Sequence, residues 1–455
     1  MGLKDRLKGH KKMESIGLLK QKFLDKNACV SVVGLGYVGL PLAVAFSEAG
    51  FNVIGLDVSE EKIESLNMGF SHVEDVPSEK IMNLVDKNKP GDIFFTHDYT
   101  DLTRSDAVII CVPTPLSKSG DPDMTYVASA GKGISRNIST ETLVVLESTT
   151  YPGATNDMLI PIIFDGNNKD FSLGENIFVA FSPERIDPGR KDYNIKTTPK
   201  VIGGVTENCS DLAVSLYGAV IETPIVVPDT TTAEMVKLLE NTFRATNIAL
   251  VNEVAIMCDH LGVDVWKVIE AARTKPFGFM SFYPGPGLGG HCIPIDPKYL
   301  SWKMKQIGYE TRFINLADEV NSSMPSFVTD KLKKVFLNKG KKIRCSKILI
   351  LGVAYKADIS DTRESPALDL IELLRDEGAK ISYSDPYVPD LPLAGECKLH
   401  SIDLETADLY AMDAVIIVSD HKLFDLPSLS NKVDLIIDTR NATAGLAMNC
   451  EVVKL

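Results

Sequence analysis

Cys292 stands in PGPGLGGHCIPIDP, a loop with glycines at 285, 287, 289 and 290. A thiol held where backbone threads close to something can act as a nucleophile toward a carbonyl carbon. The competing reading is a small buried hydrophobe, the usual state of a free cysteine. Asp296 follows four residues on and supplies one side of an acid/base arrangement. His291 is a second candidate, or simply a cap of the loop. Lys237 and Asn241 are spaced i, i+4 on a helical stretch, hence on one face. They suit an oxyanion, with a cation to stabilise it and an amide to assist. Here the competing reading is an exposed, snorkelling lysine.

A second constellation binds. Gly34-Leu35-Gly36-Tyr37-Val38-Gly39 is G-x-G-x-x-G, with the strand ACVSVV before it and a helix after. Gly34 permits a tight turn, Gly36 lets a pyrophosphate approach the backbone, and Gly39 packs helix on strand. The helix N-terminus offers free N–H groups to phosphate. Asp57 ends the next strand and can accept hydrogen bonds from an adenosine ribose. A carboxylate there repels a 2′-phosphate, so the expected cofactor is NAD and not NADP.

These groups need elements to hold them. Strands are expected at 28–33, 51–57, 92–96, 106–112, 142–148, 176–182, 200–204 and 223–227, many alternating with helices. That is an open, mostly parallel α/β sheet. From Thr232 the apolar period changes to three or four, through Val236, Leu239, Phe243, Leu250, Val254 and Met257. One helix of about 30 residues is predicted, stopped by Gly262, with two more helical stretches running to about 337. After the basic linker NKGKKIRCS, KILILGVAYK opens a second α/β unit. The expected architecture is α/β: two Rossmann-like, doubly wound domains joined by a long central helix and a helical dimerisation domain. The borders fall at 1–28 for an N-terminal extension, 29–228 for the NAD-binding domain, 229–338 for the helical domain with the cysteine loop, and 339–455 for the C-terminal domain.

Composition excludes several classes. Lys and Arg number 48 against 61 Asp and Glu, a net charge of −13, so no global field attracts nucleic acid. The eight cysteines form no C-x-x-C pair and the seven histidines no H-x-x-x-H, so no metal site is predicted. The first 27 residues lack the apolar core of a secretory signal, and no apolar run approaches the roughly 18 residues of a membrane helix. The expectation is a cytoplasmic chain with reduced thiols and no membrane partner.

Seven segments occur in order: GLGYVGLPLA, CVPTPL, ESTTYPGAT, FSPERIDPG, the helix of Lys237 and Asn241, GLGGHCIPIDP and LGVAYKADISDTRESPALDL. Together, over about 29 to 445, they resemble the UDP-glucose / UDP-N-acetylmannosamine dehydrogenase family of NAD-dependent, four-electron nucleotide-sugar 6-dehydrogenases. Within that family RTKPFGFMSFYPGPGLGGHCIPIDPKYLSWK looks most like UDP-N-acetyl-D-glucosamine 6-dehydrogenases of polysaccharide pathways. His291 stands where UDP-glucose enzymes usually carry a small residue. Ala272–Tyr283 also departs from that branch, which normally places an arginine there.

The resemblance implies that a UDP-sugar loses two hydrides at C6 and that Cys292 holds the intermediate as a thiohemiacetal and then a thioester. It gives Lys237 and Asn241 to the oxyanions, Asp296 and Thr149 to an ordered water, and Glu184 to thioester hydrolysis. It places Val112, Thr114, Ser148 and Thr149 on the nicotinamide side, Lys62 near the adenosine ribose, and Arg363 toward NAD. On the substrate it places Glu184, Arg185, Ile186, Asp187, Lys237, Asn241, Tyr283, Gly285, Gly287 and Gly289. Lys356 and Arg440 meet the UDP moiety, and the partner implied beyond the UDP-sugar is a second copy through the helical domain. Other readings remain: a UDP-N-acetylmannosamine or UDP-glucose 6-dehydrogenase of the same family; a two-electron hydroxyacid or 6-phosphogluconate-type dehydrogenase, which needs neither Cys292 nor a second α/β unit; and a non-catalytic dinucleotide-binding protein.

Overall fold

The computed structural model describes residues 15–85, 91–166, 170–185, 193–393 and 398–455. The chain forms two compact units, Met1–Leu239 and Glu240–Leu455.

The first unit is built on eight strands: β1 Cys29–Val33, β2 Asn52–Leu56, β3 Ile93–Thr96, β4 Ala107–Ile110, β5 Thr142–Leu146, β6 Ile177–Phe181, β7 Lys200–Gly204 and β8 Pro224–Val227. Each coincides with an expected strand. Their order is β3-β2-β1-β4-β5-β6-β7-β8, and all neighbours run parallel except β6 and β7. Runs such as AVII in β4 and IFVAF in β6 are buried along their whole length, because crossover helices cover both faces of such a sheet. Alternate side chains point to opposite faces. Ile109, Val145 and Ala180 enter one core; Val108, Val144 and Val179 enter the other. Strand order reverses between β1 and β4, and the crevice at the carboxyl ends there is where such sheets bind nucleotides.

The helix predicted from Thr232 spans Thr230–Leu261. Its inward face carries Leu238, Ala245, Ala249, Val251 and Ala255, all buried, while Leu239, Phe243, Leu250 and Met257 are exposed. Of the residues that set the expected period, Val236 and Val254 pack on the chain's own cores, and the four larger ones are left exposed.

In the second unit the helices Val265–Ala272, Asp296–Gln306 and Arg312–Asn338 precede a five-stranded parallel sheet. Its strands are β9 Lys347–Leu351, β10 Lys380–Ser384, β13 Ala414–Ile417, β14 Leu435–Asp438 and β15 Glu451–Lys454, in the order β10-β9-β13-β14-β15. A small antiparallel pair, β11 Asp390–Pro392 with β12 Lys398–His400, lies outside it. The helix Pro366–Asp376 packs on Arg312–Asn338, and Leu370, Leu374, Val328 and Leu332 share one buried core. No helix among the described residues is long and apolar enough to cross a membrane.

Candidate active site

The fingerprint turn is shaped by the contacts its glycines permit. Gly34 has φ +94°, and a Cβ there would stand 2.6 Å from the carbonyl oxygen of Cys111. A Cβ on Gly39 would fall 1.8 Å from the oxygen of Gly34, which no side chain tolerates. At Gly36 a Cβ would meet nothing within 4 Å. The protein's own packing does not demand that glycine; a ligand phosphate approaching the backbone does. Tyr37 and Val38 lead into the helix Gly39–Glu48, whose N-terminal amides face the same turn. The residues present therefore fit a dinucleotide.

Asp57 is 8% exposed and grips this turn. Its Oδ2 accepts from the amide of Leu35 at 2.9 Å and its Oδ1 from Ser59 at 3.0 Å. A carboxylate has about four acceptor positions, so two remain for a ribose. The ammonium of Lys62 lies 3.7 Å from Oδ2. His72, which the sequence reading did not single out, meets the carbonyl of Leu35 through Nε2 at 2.7 Å. We expect Asp57→Ala to weaken NAD binding and to narrow the preference over NADP, since both the ribose acceptor and the turn's anchor are lost. Titration with the two dinucleotides checks this; a wild-type preference for NADP would contradict the assignment.

At the ends of β4 and β5 the hydroxyl of Ser148 donates to the carbonyl of Val112 at 2.8 Å, tying the two loops together. Thr114 and Thr149 are half-buried in those loops. Beneath them lies a buried cluster that no motif announced. Lys200 Nζ is 3.0 Å from Glu147 Oε2, and the Tyr217 hydroxyl donates to Glu147 Oε1. Burial pushes the Glu147 carboxyl up. Burial also opposes the Lys200 charge, and the neighbouring Glu147 overrides it to give a raised value.

The STTYPGAT turn is fixed by a second unannounced carboxylate. Fully buried Glu234 accepts from the amide of Thr155 at 2.8 Å, from its hydroxyl at 2.6 Å and from the amide of Gly153 at 2.5 Å. It stands one turn before Lys237 on the long helix. Lys237 is itself 8% exposed and donates to the backbone carbonyl of Glu184 at 2.5 Å. It is thus not a surface lysine: two residues given separate chemical roles meet here. Arg185 turns to the carbonyl of Pro199 at 2.7 Å. Ile186 and Asp187 lie outside the described residues.

In the second unit, the carbonyl of Cys292 accepts from the amides of Asp296 at 2.8 Å and Ile295 at 3.2 Å. The thiol residue and the carboxylate are therefore the two ends of one tight turn that opens the helix Asp296–Gln306. Cys292 is half-buried, and Asp296 is 2% exposed. The amide of Asn241 donates to Asp296 Oδ2 at 2.5 Å. The side-chain amide expected beside Lys237 thus also meets the carboxylate of Asp296.

The cysteine loop is seated on the C-terminal sheet. Gly285 donates to Asn252 Oδ1 at 2.9 Å, and Asn252 is bonded to Asn321 at 2.9 Å, both buried. A Cβ at Gly285 would be 2.6 Å from Arg440 Nη1, and one at Gly289 would be 2.5 Å from Tyr355 Cβ. Gly287 lies against Pro366, and Gly290 donates to the carbonyl of Arg363 at 3.0 Å. Arg440 is half-buried, with Nε on the carbonyl of Val418 at 2.8 Å and no carboxylate in ion-pair range among the described residues. Burial holds its pKa below the ordinary arginine value. A partly desolvated guanidinium with no carboxylate in ion-pair range is suited to phosphate. Lys356 is half-buried in the loop after β9. Arg363 is exposed and clamped by Asp361, with Nη2 to Oδ2 at 2.6 Å and Nε to Oδ1 at 2.9 Å. Tyr283 stacks on Trp266 at 6.3 Å between centroids.

Comparison with known proteins matches three models of the UDP-glucose/GDP-mannose dehydrogenase family. The NAD binding domain covers residues 28–221, the central domain 231–323 and the UDP binding domain 349–445. The chain is 36% identical over 417 residues to a UDP-N-acetyl-D-mannosamine dehydrogenase of Pyrococcus horikoshii, covering 90% of this chain and 95% of that protein. It is 33% identical over 403 residues to a UDP-N-acetyl-D-glucosamine 6-dehydrogenase of Pseudomonas aeruginosa, covering 88% and 92%. The solved structure of the UDP-D-ManNAc dehydrogenase from Pyrococcus horikoshii superposes with a TM-score of 0.84 at 34% identity, over 94% of this chain and 98% of that one.

Proposed function

Because the chain belongs to the UDP-glucose/GDP-mannose dehydrogenase family, we propose that it oxidises C6 of a UDP-2-acetamido-hexose to the carboxylate, on Cys292. It is an NAD-dependent nucleotide-sugar dehydrogenase; the sugar, the residue roles and the assembly are the substance of the proposal. The observation that carries it is the turn joining Cys292 to Asp296, with Asn241 orienting the carboxylate.

NAD would be held in the fingerprint crevice and would take one hydride at each of the two oxidations, two NAD per sugar. Lys237 stabilises the negative charge that develops on the C6 oxygen as its proton leaves. Asp296, with Thr149 holding a water, takes that proton. The Cys292 thiolate then adds to the aldehyde carbon, giving a tetrahedral carbon able to lose a second hydride and become a thioester. Glu184 assists water in cleaving the thioester, which releases the carboxylate and restores the thiol. The UDP group is held by Lys356 and Arg440. Arg185 is given to the sugar side, and Arg363 to the cofactor, by the family resemblance.

The acetamido sugar is favoured over glucose by His291 and by the segment 272–283, which lacks the pattern of UDP-glucose enzymes. The segment 276–296 favours the gluco epimer. The manno epimer is the second reading, favoured because most of the similar relatives are named UDP-N-acetyl-D-mannosamine dehydrogenases. A panel of UDP-sugars with NAD, read as NADH per sugar and product mass, tests this. The expected result is two NADH per sugar, with an acetamido sugar giving the highest kcat/KM. A much higher value for UDP-glucose would contradict it.

The assembly proposed is a two-fold dimer through the long helix. The support is its uncovered stripe, in which Leu250 is 56% exposed, and an isologous pairing buries the same patch on both copies. Leu250→Glu should convert the dimer to monomer in sedimentation at micromolar concentration. A wild-type protein that sediments only as monomer would contradict it.

A further inference from the structure

In the second unit the loop 352–361 after β9 is pinned on both sides of a short crest. On one side the amides of Val353 and Ala354 donate to Asp385 Oδ2 at 2.7 and 3.1 Å. The Ser419 hydroxyl donates to the carbonyl of Ala354. On the other side the amide of Asp358 donates to Nδ1 of His421 at 2.9 Å. The crest between the pins is Tyr355-Lys356-Ala357.

One imidazole joins the two pins. His421 Nε2 is 3.0 Å from Asp385 Oδ2. Since Nδ1 accepts an amide proton, the ring hydrogen must sit on Nε2, and it is donated to the carboxylate. Asp385 also accepts from the amides of Tyr387 at 2.9 Å and Val388 at 3.2 Å. Burial would raise its carboxyl, but the bonds from His421, Val353 and Tyr387 outweigh this and hold it below the ordinary range. His421 is 3% exposed and lies between the rings of Tyr387 and Phe424, at 5.1 and 5.4 Å. Asp358 is further held by Lys422, with Nζ to Oδ2 at 2.8 Å. The imidazole and the Asp385 carboxylate are buried, and neither touches the cysteine chemistry directly.

We propose that His421 and Asp385 are positioning residues for nucleotide recognition: the relay from carboxylate to imidazole to the Asp358 amide fixes the crest that presents Lys356 to the uridine diphosphate. The same crest lies against the catalytic loop. A Cβ on Gly290 would be 2.9 Å from the Tyr355 ring, but the turn that carries Cys292 is closed by its own bond from the Asp296 amide, so a displaced crest moves the diphosphate contact and leaves that turn in place. The inference rests on the reading that Lys356 contacts the UDP moiety, and the test separates the two.

Three variants of the full chain are compared by UDP titration calorimetry and by steady-state kinetics with the UDP-sugar. His421→Phe keeps a ring between Tyr387 and Phe424 and removes both nitrogens. His421→Asn retains an acceptor near the Nδ1 position. Lys356→Ala reports on the contact itself. We expect His421→Phe to raise the UDP Kd and the UDP-sugar KM about tenfold with kcat within about twofold, as for loss of a buried hydrogen-bonded group. His421→Asn should recover part of that loss, and it serves as the folded comparison if the Phe variant is unstable. A merely structural role would lower the melting temperature or the active fraction and leave Kd and KM unchanged, which overturns the inference. If Lys356→Ala leaves UDP affinity intact, the reading of the diphosphate site fails; if Lys356→Ala weakens UDP and both His421 variants do not, the relay alone is overturned.

Discussion

Cys292→Ala should yield a folded protein that binds NAD and forms no net carboxylate, with the rate of acid formation down on the order of 10³-fold or more. The reason lies in carbon oxidation states. A primary alcohol reaches the carboxylate only by losing two hydrides. Between those losses the aldehyde carbon must be made tetrahedral, or no second hydride can leave. A thiolate adds readily to carbonyls and leaves an acyl group that water can attack. Folding should survive, because what shapes the turn is the carbonyl of Cys292, which accepts from Asp296 and Ile295, and alanine keeps that carbonyl. Cys292→Ser should do little better, since a hydroxyl is a poor nucleophile without a base and its ester hydrolyses less readily. The measurements are NADH per sugar and product mass. An alanine variant giving two NADH per sugar would remove the cysteine from the chemistry.

Lys237→Ala should slow both oxidations. Losing one preorganised charge on a developing oxyanion costs on the order of 3 kcal/mol, or roughly 10²-fold in kcat. The side chain is buried and its ammonium is aimed by the carbonyl of Glu184 at 2.5 Å, so the charge needs no reorganisation when the reaction occurs. Lys237→Arg should not restore the rate, because a planar fork cannot occupy the place of a compact ammonium. Pre-steady-state NADH traces resolve the two hydride losses. A variant slowed in only one of them, or in neither, would take the shared oxyanion role away from Lys237.

How much of this was legible in the sequence follows from how locally each feature is encoded. All eight strands of the first sheet could be read: the inner ones, covered on both faces, are written as short β-branched runs, and the edge strand β8 shows the same apolar run although Ile225 and Val226 are exposed. The three-residue strands β11 and β12 could not, since they are too short to show a period. The turn from Cys292 to Asp296 is a local i, i+4 relation and left its mark in the spacing. The bond from Asn241 to the same Asp296 spans 55 positions and left none. Glu234, Glu147 and Asp385 were missed for the same reason. Each of these carboxylates holds a partner distant in sequence, from Ala354 with Asp385, 31 residues apart, to Gly153 with Glu234, 81 apart, and nothing in the local sequence announces those partners. Periodicity also identified the stripe of the long helix without showing that its large residues point away from the chain's own core.

The central claim is that the sugar carbon is held covalently on Cys292 between the two oxidations. Intact-protein mass spectrometry of Glu184→Gln, quenched during a single turnover with UDP-sugar and NAD, tests it most directly. With hydrolysis impaired, the protein should gain the mass of the UDP-sugar acyl group, and digestion should place that mass on the peptide carrying Cys292. NADH formation at two per sugar with no added mass on the protein at any time point would contradict it.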